Sequence, residues 1–220
     1  MREMFQKELQ EVQSRLVEIS EHVESIVLDA TNAFCQANVQ LADQALANAE
    51  AIGDKAISLD ELVIRILATQ SPVARDLRIL VSALRISNAL ERMASLAGHV
   101  AAIARYRYPG SAVPVELEDV FDEMSRLDVR LAKKTTKLLK NTSIDLARAI
   151  QAEDEKVDEL HRSVFETVLS PAWEGNAMFT VDVTLASRYL ERFADHVVDI
   201  SSKVSYLTTG DWSDAESEDK

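Results

Sequence analysis

Leu90–Val100 reads "LERMASLAGHV" and Leu190–Ile200 reads "LERFADHVVDI". The two segments open alike one hundred positions apart, so that Leu90, Glu91 and Arg92 match Leu190, Glu191 and Arg192. A second pair, "LADQALAN" from Leu41 and "LARAIQAE" from Leu146, is offset by 105. Self-similarity at a nearly fixed period marks an internal duplication. The change of offset, from 105 to 100, puts a five-residue insertion in the first copy, between its second and third helices.

Each copy reads as helical. With only five glycines and four prolines in 220 residues, the chain lacks the turns that a sheet requires. Prolines 72, 109, 114 and 171 and glycines 53, 110, 175 and 210 are read as dividing it into helical runs, with Gly98 alone deep inside one. From about residue 3 to 36, Phe5, Leu9, Val12, Leu16, Ile19, Val23, Ile26 and Ala30 recur at spacings of three and four, one apolar stripe along a helix. Asn38 is a cap for a second helix to about Ala68, and a third covers about 72–106. After the break "RYRYPGSAVP" (105–114), the pattern restarts with helices at about 115–140, 144–169 (opened by Ser143) and 177–208. The expected fold is all-α, a tandem duplication of a three-helix bundle with six long helices: residues 1–107 form the first bundle and 115–208 the second. The acidic tail 209–220, containing "GDWSDAESEDK", is expected to be disordered.

A net charge of −13 sets the chain against nucleic acid and anionic lipid, which a nonspecific grip would meet with repulsion. No apolar run approaches the roughly 20 residues of a membrane helix, and the N-terminal segment carries charges through its apolar positions, so a soluble cytoplasmic protein is expected. Cys35, the single cysteine, stands among apolar helix positions as a small packing residue and fits a reducing compartment.

The sixth helix combines an apolar side, Leu190, Phe193, Ala194, Val197, Ile200 and Val204, with Glu191, Asp195 and Asp199 on the other. Carboxylates four residues apart stand about 5–6 Å from one another, where like charges raise each other's pKa, so something should compensate them. On the fifth helix, Asp154 and Asp158 are also four apart and His161 follows three residues on, beside the stripe Leu146, Ile150, Val157, Val164. If the two helices pack as neighbours, four or five carboxylates and an imidazole converge. Oxygen-rich donors favour hard cations, with iron, magnesium, manganese or calcium ahead of copper, and zinc admitted through His161. The plain alternative is a solvated acidic helix face.

The first copy has lost most of this set. Ser95 and His99 stand where Asp195 and Asp199 would be, and Ala49 and Gly53 replace Asp154 and Asp158. A weak first-half site would have to draw on Glu91 and His99, with Asp54, Asp60 or Glu61.

"QSPVARDLRILVSALRISNALERMASLA" (70–97) resembles the hallmark of the PhoU family of phosphate-uptake regulators, and "YLERFADHVVDI" (189–200) its second copy; the similarity runs from about residue 3 to 208. The resemblance implies two three-helix bundles related by pseudo-symmetry and a role in repressing phosphate-starvation responses when phosphate is plentiful. It implies no enzymatic activity. It also implies an adaptor between the ATPase of a phosphate ABC transporter and a membrane sensor histidine kinase, and, in some members, iron or other metals bound through Glu/Asp-x-x-x-Asp motifs. Those motifs fall here on Asp154, Asp158, Glu191 and Asp195, with Asp199 one turn further on and Glu91 the one clean match in the first half. A homodimer is compatible with such a fold.

In "PVARDLR", Pro72 is placed near the first turn of the third helix with Asp76 and Arg78 just inside, Asp favouring the positive helix end. These residues fix a helix start or form a partner-docking corner. Two rival functions stand beside the adaptor. A carboxylate-bridged di-iron enzyme would want Glu-x-x-His on two helices, and Asp158-x-x-His161 is the one near-match. The other is a purely structural helical dimer kept soluble by its acidic face.

Overall fold

The computed structural model describes residues 2–141 and 143–209, so the acidic segment 210–220 lies outside the described residues. Six helices make up the fold, with no strand among the described residues: α1 (Arg2–Gln36), α2 (Val39–Gln70), α3 (Arg75–Arg107), α4 (Glu118–Asn141), α5 (Ile144–Val168) and α6 (Ala177–Thr209). A short 3-10 turn, Val115–Leu117, leads into α4.

Local chemistry explains most of the boundaries. Asn38 lies in extended backbone before α2, and its Oδ1 accepts from the Leu41 amide at 3.1 Å, satisfying one of the amides a helix start leaves open. α3 starts later than the position of Pro72 suggests. Ser71 takes the left-handed conformation (φ 45°, ψ 54°) and Ala74 a second positive φ of 49°, so residues 71–74 form a connector with Pro72 inside it, and Asp76 occupies the first turn of α3. Gly53 breaks nothing: α2 runs through it. The inserted residues are absorbed largely as helix, α2 having 32 residues against 25 in α5. Gly98 has a packing reason, because a Cβ there would stand 3.3 Å from that of Ala49, tighter than most such contacts. This close approach of α2 and α3 offsets the roughly 1 kcal/mol that a mid-helix glycine costs.

α1, α2 and α3 pack together, as do α4, α5 and α6, and the two sets join through α1 on α4 and α3 on α6. Both junctions are antiparallel. Phe34 meets Phe121 edge-on at 5.1 Å while Ser20 and Thr136 share a buried hydrogen bond of 2.9 Å. On the other junction His99 stacks on Tyr189 at 5.0 Å, Arg78 sits over Tyr206, and Arg107 grips the buried carboxylate of Asp182 with two N–H groups. The apolar stripes are thus not closed within each repeat. A single core runs from Val12, Ile26 and Phe34 through Leu90 and Met93 to Phe121, Leu131, Phe193 and Val197.

Candidate metal site

α5 and α6 pack side by side, with Ile150, Val157 and Val164 of the one and Leu190, Phe193, Ala194 and Val197 of the other all buried. On the flank of this seam the acidic residues come together. Glu191 is nearly buried, at 9% exposure, Asp154 and Asp195 are half-buried, and Asp158 is exposed. One oxygen each of Asp154 and Glu191 is buried with no hydrogen-bond partner. Burial, reinforced by the charges of Asp158, Asp195 and Glu191, pushes the Asp154 carboxyl up to about 7. Burial and Asp195 likewise raise Glu191, against the opposing pull of Arg188, while burial and Asp158 raise Asp195 against Arg192.

Three basic side chains answer this charge. Arg188 donates to Glu191 Oε1 at 2.5 Å and Arg192 stands 3.8 Å from Asp195. Lys203 bonds Asp199, an exposed carboxylate one turn beyond the cluster, so Asp199 does not join the other four. His161 shares a 3.0 Å hydrogen bond between its Nδ1 and the Ser187 hydroxyl, and burial together with Arg188 lowers its pKa below the usual imidazole range. It stands near enough to Asp158 and Asp195 to feel their charges.

Sequence reading missed the deepest member. Asp128 of α4 is 0% exposed, neither carboxylate oxygen has a hydrogen-bond partner, and burial and then the charges of Asp154 and Glu191 raise its pKa well above the carboxylate range. A signal was there in the sequence: Phe121, Met124, Leu127, Leu131 and Thr135 mark the buried side of α4, and Asp128 falls in the same stripe.

A hard cation suits the chemistry of this set, since four buried oxygens, on Asp128, Asp154 and Glu191, want a positive partner. As the side chains stand they are not drawn around one point: among the described residues no three His, Cys, Asp or Glu side chains are grouped to hold a metal ion. Binding would require Arg188 to release Glu191 and the carboxylates to turn inward.

The first repeat has the same geometry without the charge. A Cβ on Gly53 would face Glu91 Oε1 at 3.9 Å with nothing else within 4 Å, so Gly53 holds the place opposite Glu91 that Asp158 holds beside Glu191. Ser95 and His99 are exposed, and the His99 ring lies on Tyr189 of α6 rather than toward α2. Asp60 is half-buried with one unpartnered oxygen, and burial raises its pKa, the nearby Ser87 hydroxyl acting the other way. Asp54 and Glu61 are exposed. At the start of α3, Asp76 and Arg78 are half-buried, beside the exposed Val73 and Leu77.

No helix of the described residues is long and apolar enough to cross a membrane. The model of the PhoU domain matches twice, at residues 16–104 and 121–204, one match to each repeat. Over 210 residues, 96% of this chain, the sequence is 37% identical to the phosphate-specific transport system accessory protein PhoU homolog 2 of Mycobacterium tuberculosis, covering 99% of that protein. It is 36% identical to PhoU homolog 1 of Mycobacterium leprae, with 96% of this chain and 95% of that one covered. The crystal structure of PhoU from Pseudomonas aeruginosa superposes with a TM-score of 0.85 at 27% identity, over 94% of this chain and all of the other. Duplicated bundle, paired Glu/Asp-x-x-x-Asp helix and end-to-end sequence similarity agree: the chain belongs to the PhoU family.

Proposed function

We propose that this protein is an accessory component of phosphate transport that represses the phosphate-starvation response when phosphate is plentiful, without catalysing a reaction. It acts in the cytoplasm as an adaptor between the ATPase of a phosphate ABC transporter and a membrane sensor histidine kinase. The observation that carries this reading is the 37% identity, over nearly the full length of both chains, to a protein named as a phosphate-specific transport accessory protein. The connector and first turn of α3, with Asp76 and Arg78 beside the exposed Val73 and Leu77, serve as a docking corner. The signal is differential affinity for two states of a partner, which is the one way a binding protein can shift an equilibrium.

In the same proposal, Asp154, Asp158, Glu191 and Asp195 take up iron or another hard divalent cation. Their clustering on two adjoining helices and the unpartnered buried oxygens support it. The cation would also reverse the local sign of an acidic surface that otherwise repels phosphate. The reading is tested by deleting the gene and following starvation-response transcripts in phosphate-replete cells, together with pull-downs of tagged protein at low salt with added metal. Derepressed transcripts and capture of the ATPase or kinase are expected. Unchanged transcripts with neither partner captured would sink it.

A further inference from the structure

Asp128 is the most improbable side chain of the fold. It lies in the middle of the apolar face of α4, flanked by Met124, Leu127, Leu131 and Ala132, all buried. Removing a carboxylate from water without a hydrogen bond or a counter-charge is among the costliest things a fold can do. Both oxygens of Asp128 lack a partner. Basic residues near it along α4 are committed elsewhere: Arg126 pairs with Asp122 and Glu123, Arg130 pairs with Glu123 and Glu153, and Lys134 donates to the Ala149 carbonyl and pairs with Glu153 at 3.1 Å. Its electrostatic neighbours are Asp154 and Glu191, two more acids, from two other helices. Protonation would remove the charge but leave a hydroxyl donor and a carbonyl with nothing to bond. A cation between α4, α5 and α6 would answer these groups together once the carboxylates turn toward it, since as they stand, among the described residues, no three are grouped around one point.

Resting on the reading of the α5/α6 flank as a cation site, we infer that Asp128 is its third-helix carboxylate, reaching the cation from the core side, so that a bound divalent cation ties α4 to α5 and α6. Asp154, Asp158, Glu191 and Asp195 then form the outer part of the site and Asp128 its floor. The consequence goes beyond affinity. α4 packs on α1 of the first repeat and α6 on α3, so a cation that ties α4 to α6 couples the two helices through which the repeats are joined.

Mn2+ serves as probe, with purified full-length protein stripped by chelator. In the wild-type protein, saturating Mn2+ raises the unfolding temperature and slows amide hydrogen exchange in α4 around residues 124–132 as well as in α5 and α6. Asp128→Asn keeps the shape and removes the charge: it unfolds at a higher temperature than wild type in chelator, binds Mn2+ about 10- to 100-fold more weakly, and loses most of the Mn2+-induced rise. The exchange experiment needs no variant and decides the matter should Asp128→Asn fold poorly. Exchange protection confined to α5 and α6, or Asp128→Asn binding Mn2+ as tightly as wild type while Glu191→Gln does not, overturns the role of Asp128 and leaves the outer site intact. Failure of the wild-type protein to take up Mn2+ or Fe2+ overturns the site itself and Asp128 with it.

Discussion

The α5/α6 flank and the α2/α3 flank are built on one plan and carry opposite chemistry. In the second repeat Glu191 stands near Asp154, Asp158 and Asp195, with Asp128 beneath. In the first, Glu91 faces a glycine and its neighbours along α3 are Ser95 and His99. The first flank gives up its charges and gains close packing, Gly98 drawn against Ala49. The second keeps carboxylates that repel one another and leaves four buried carboxylate oxygens without partners, on Asp128, Asp154 and Glu191, against one on Asp60 of the first. A repeat selected for stability alone would resemble the first, because large buried penalties persist where function requires them. The two copies thus share one frame and differ in the charge they carry along it.

Four experiments would break or sharpen this contrast, in decreasing order of effect. Replacing Glu191 and Asp195 by Ala together removes two of the four outer carboxylates. Divalent-cation binding, measured by elemental analysis and calorimetry, should weaken beyond the roughly 10- to 100-fold typical of losing a supporting residue. Glu91→Ala with Ser95→Ala should leave it unchanged. The converse experiment rebuilds the missing set: Gly53→Asp has room opposite Glu91, and Ser95→Asp completes the Glu-x-x-x-Asp pair. A second bound cation should appear, weaker than the first on the order of tenfold, about 1.4 kcal/mol, and unaltered stoichiometry would show that the two flanks differ by more than these side chains.

A smaller effect is expected from Arg188, which competes with any cation for Glu191. Arg188→Gln should tighten Mn2+ binding by about two- to fivefold, the range expected of removing one partly screened charge. Weaker binding would instead make Arg188 a support of the site. The smallest effect is on acid stability. Asp154, raised from 3.8 to about 7 chiefly by burial, holds a proton in the folded protein that the unfolded chain has released. The fold therefore binds more protons than the unfolded state between those two values, and its stability falls as pH rises through that window. With chelator present, the unfolding temperature should climb by a few degrees on going from about pH 8 to pH 6. Asp154→Asn should flatten that slope, whereas Asp60→Asn in the first repeat, where no second carboxylate adds to the burial, should change it less.

Much of this was legible in the sequence, for reasons that can be named. Apolar stripes on the first, fifth and sixth runs, with the proline and glycine breaks between runs, give the six helices, since Ile19, Val23 and Ile26 or Leu190, Phe193 and Val197 recur at the period of a helix and are buried. The offsets of 105 and 100 give the repeat, and Asn38 gives a helix start. What escaped was whatever depends on three dimensions. Gly53 reads as a break because glycine is a poor helix former, yet packing carries α2 through it. Asp199 continues the four-residue spacing, but a lysine one turn on engages it at the surface. Asp128 belongs to no repeated motif and sits one helix before Asp154 and two before Glu191, and spacing within one helix cannot reveal an encounter between three. The way the repeats fuse into one core was equally hidden, because a stripe shows which side of a helix is apolar and not which neighbour covers it.

The antiparallel pairing of α3 with α6 has a mechanical consequence. Residues 71–74 open α3 and residues 169–176 open α6, so the two connectors sit at opposite tips of a rod whose 33-residue helices span about 50 Å. Each tip carries uncovered oily side chains, Val73 and Leu77 on one and Leu169 and Met178 on the other. A single globular domain, about 30 Å across, that lands on one tip leaves the other free. The fold thereby sets two exposed apolar ends about 50 Å apart, the separation that the proposed adaptor would use to meet two bodies at once.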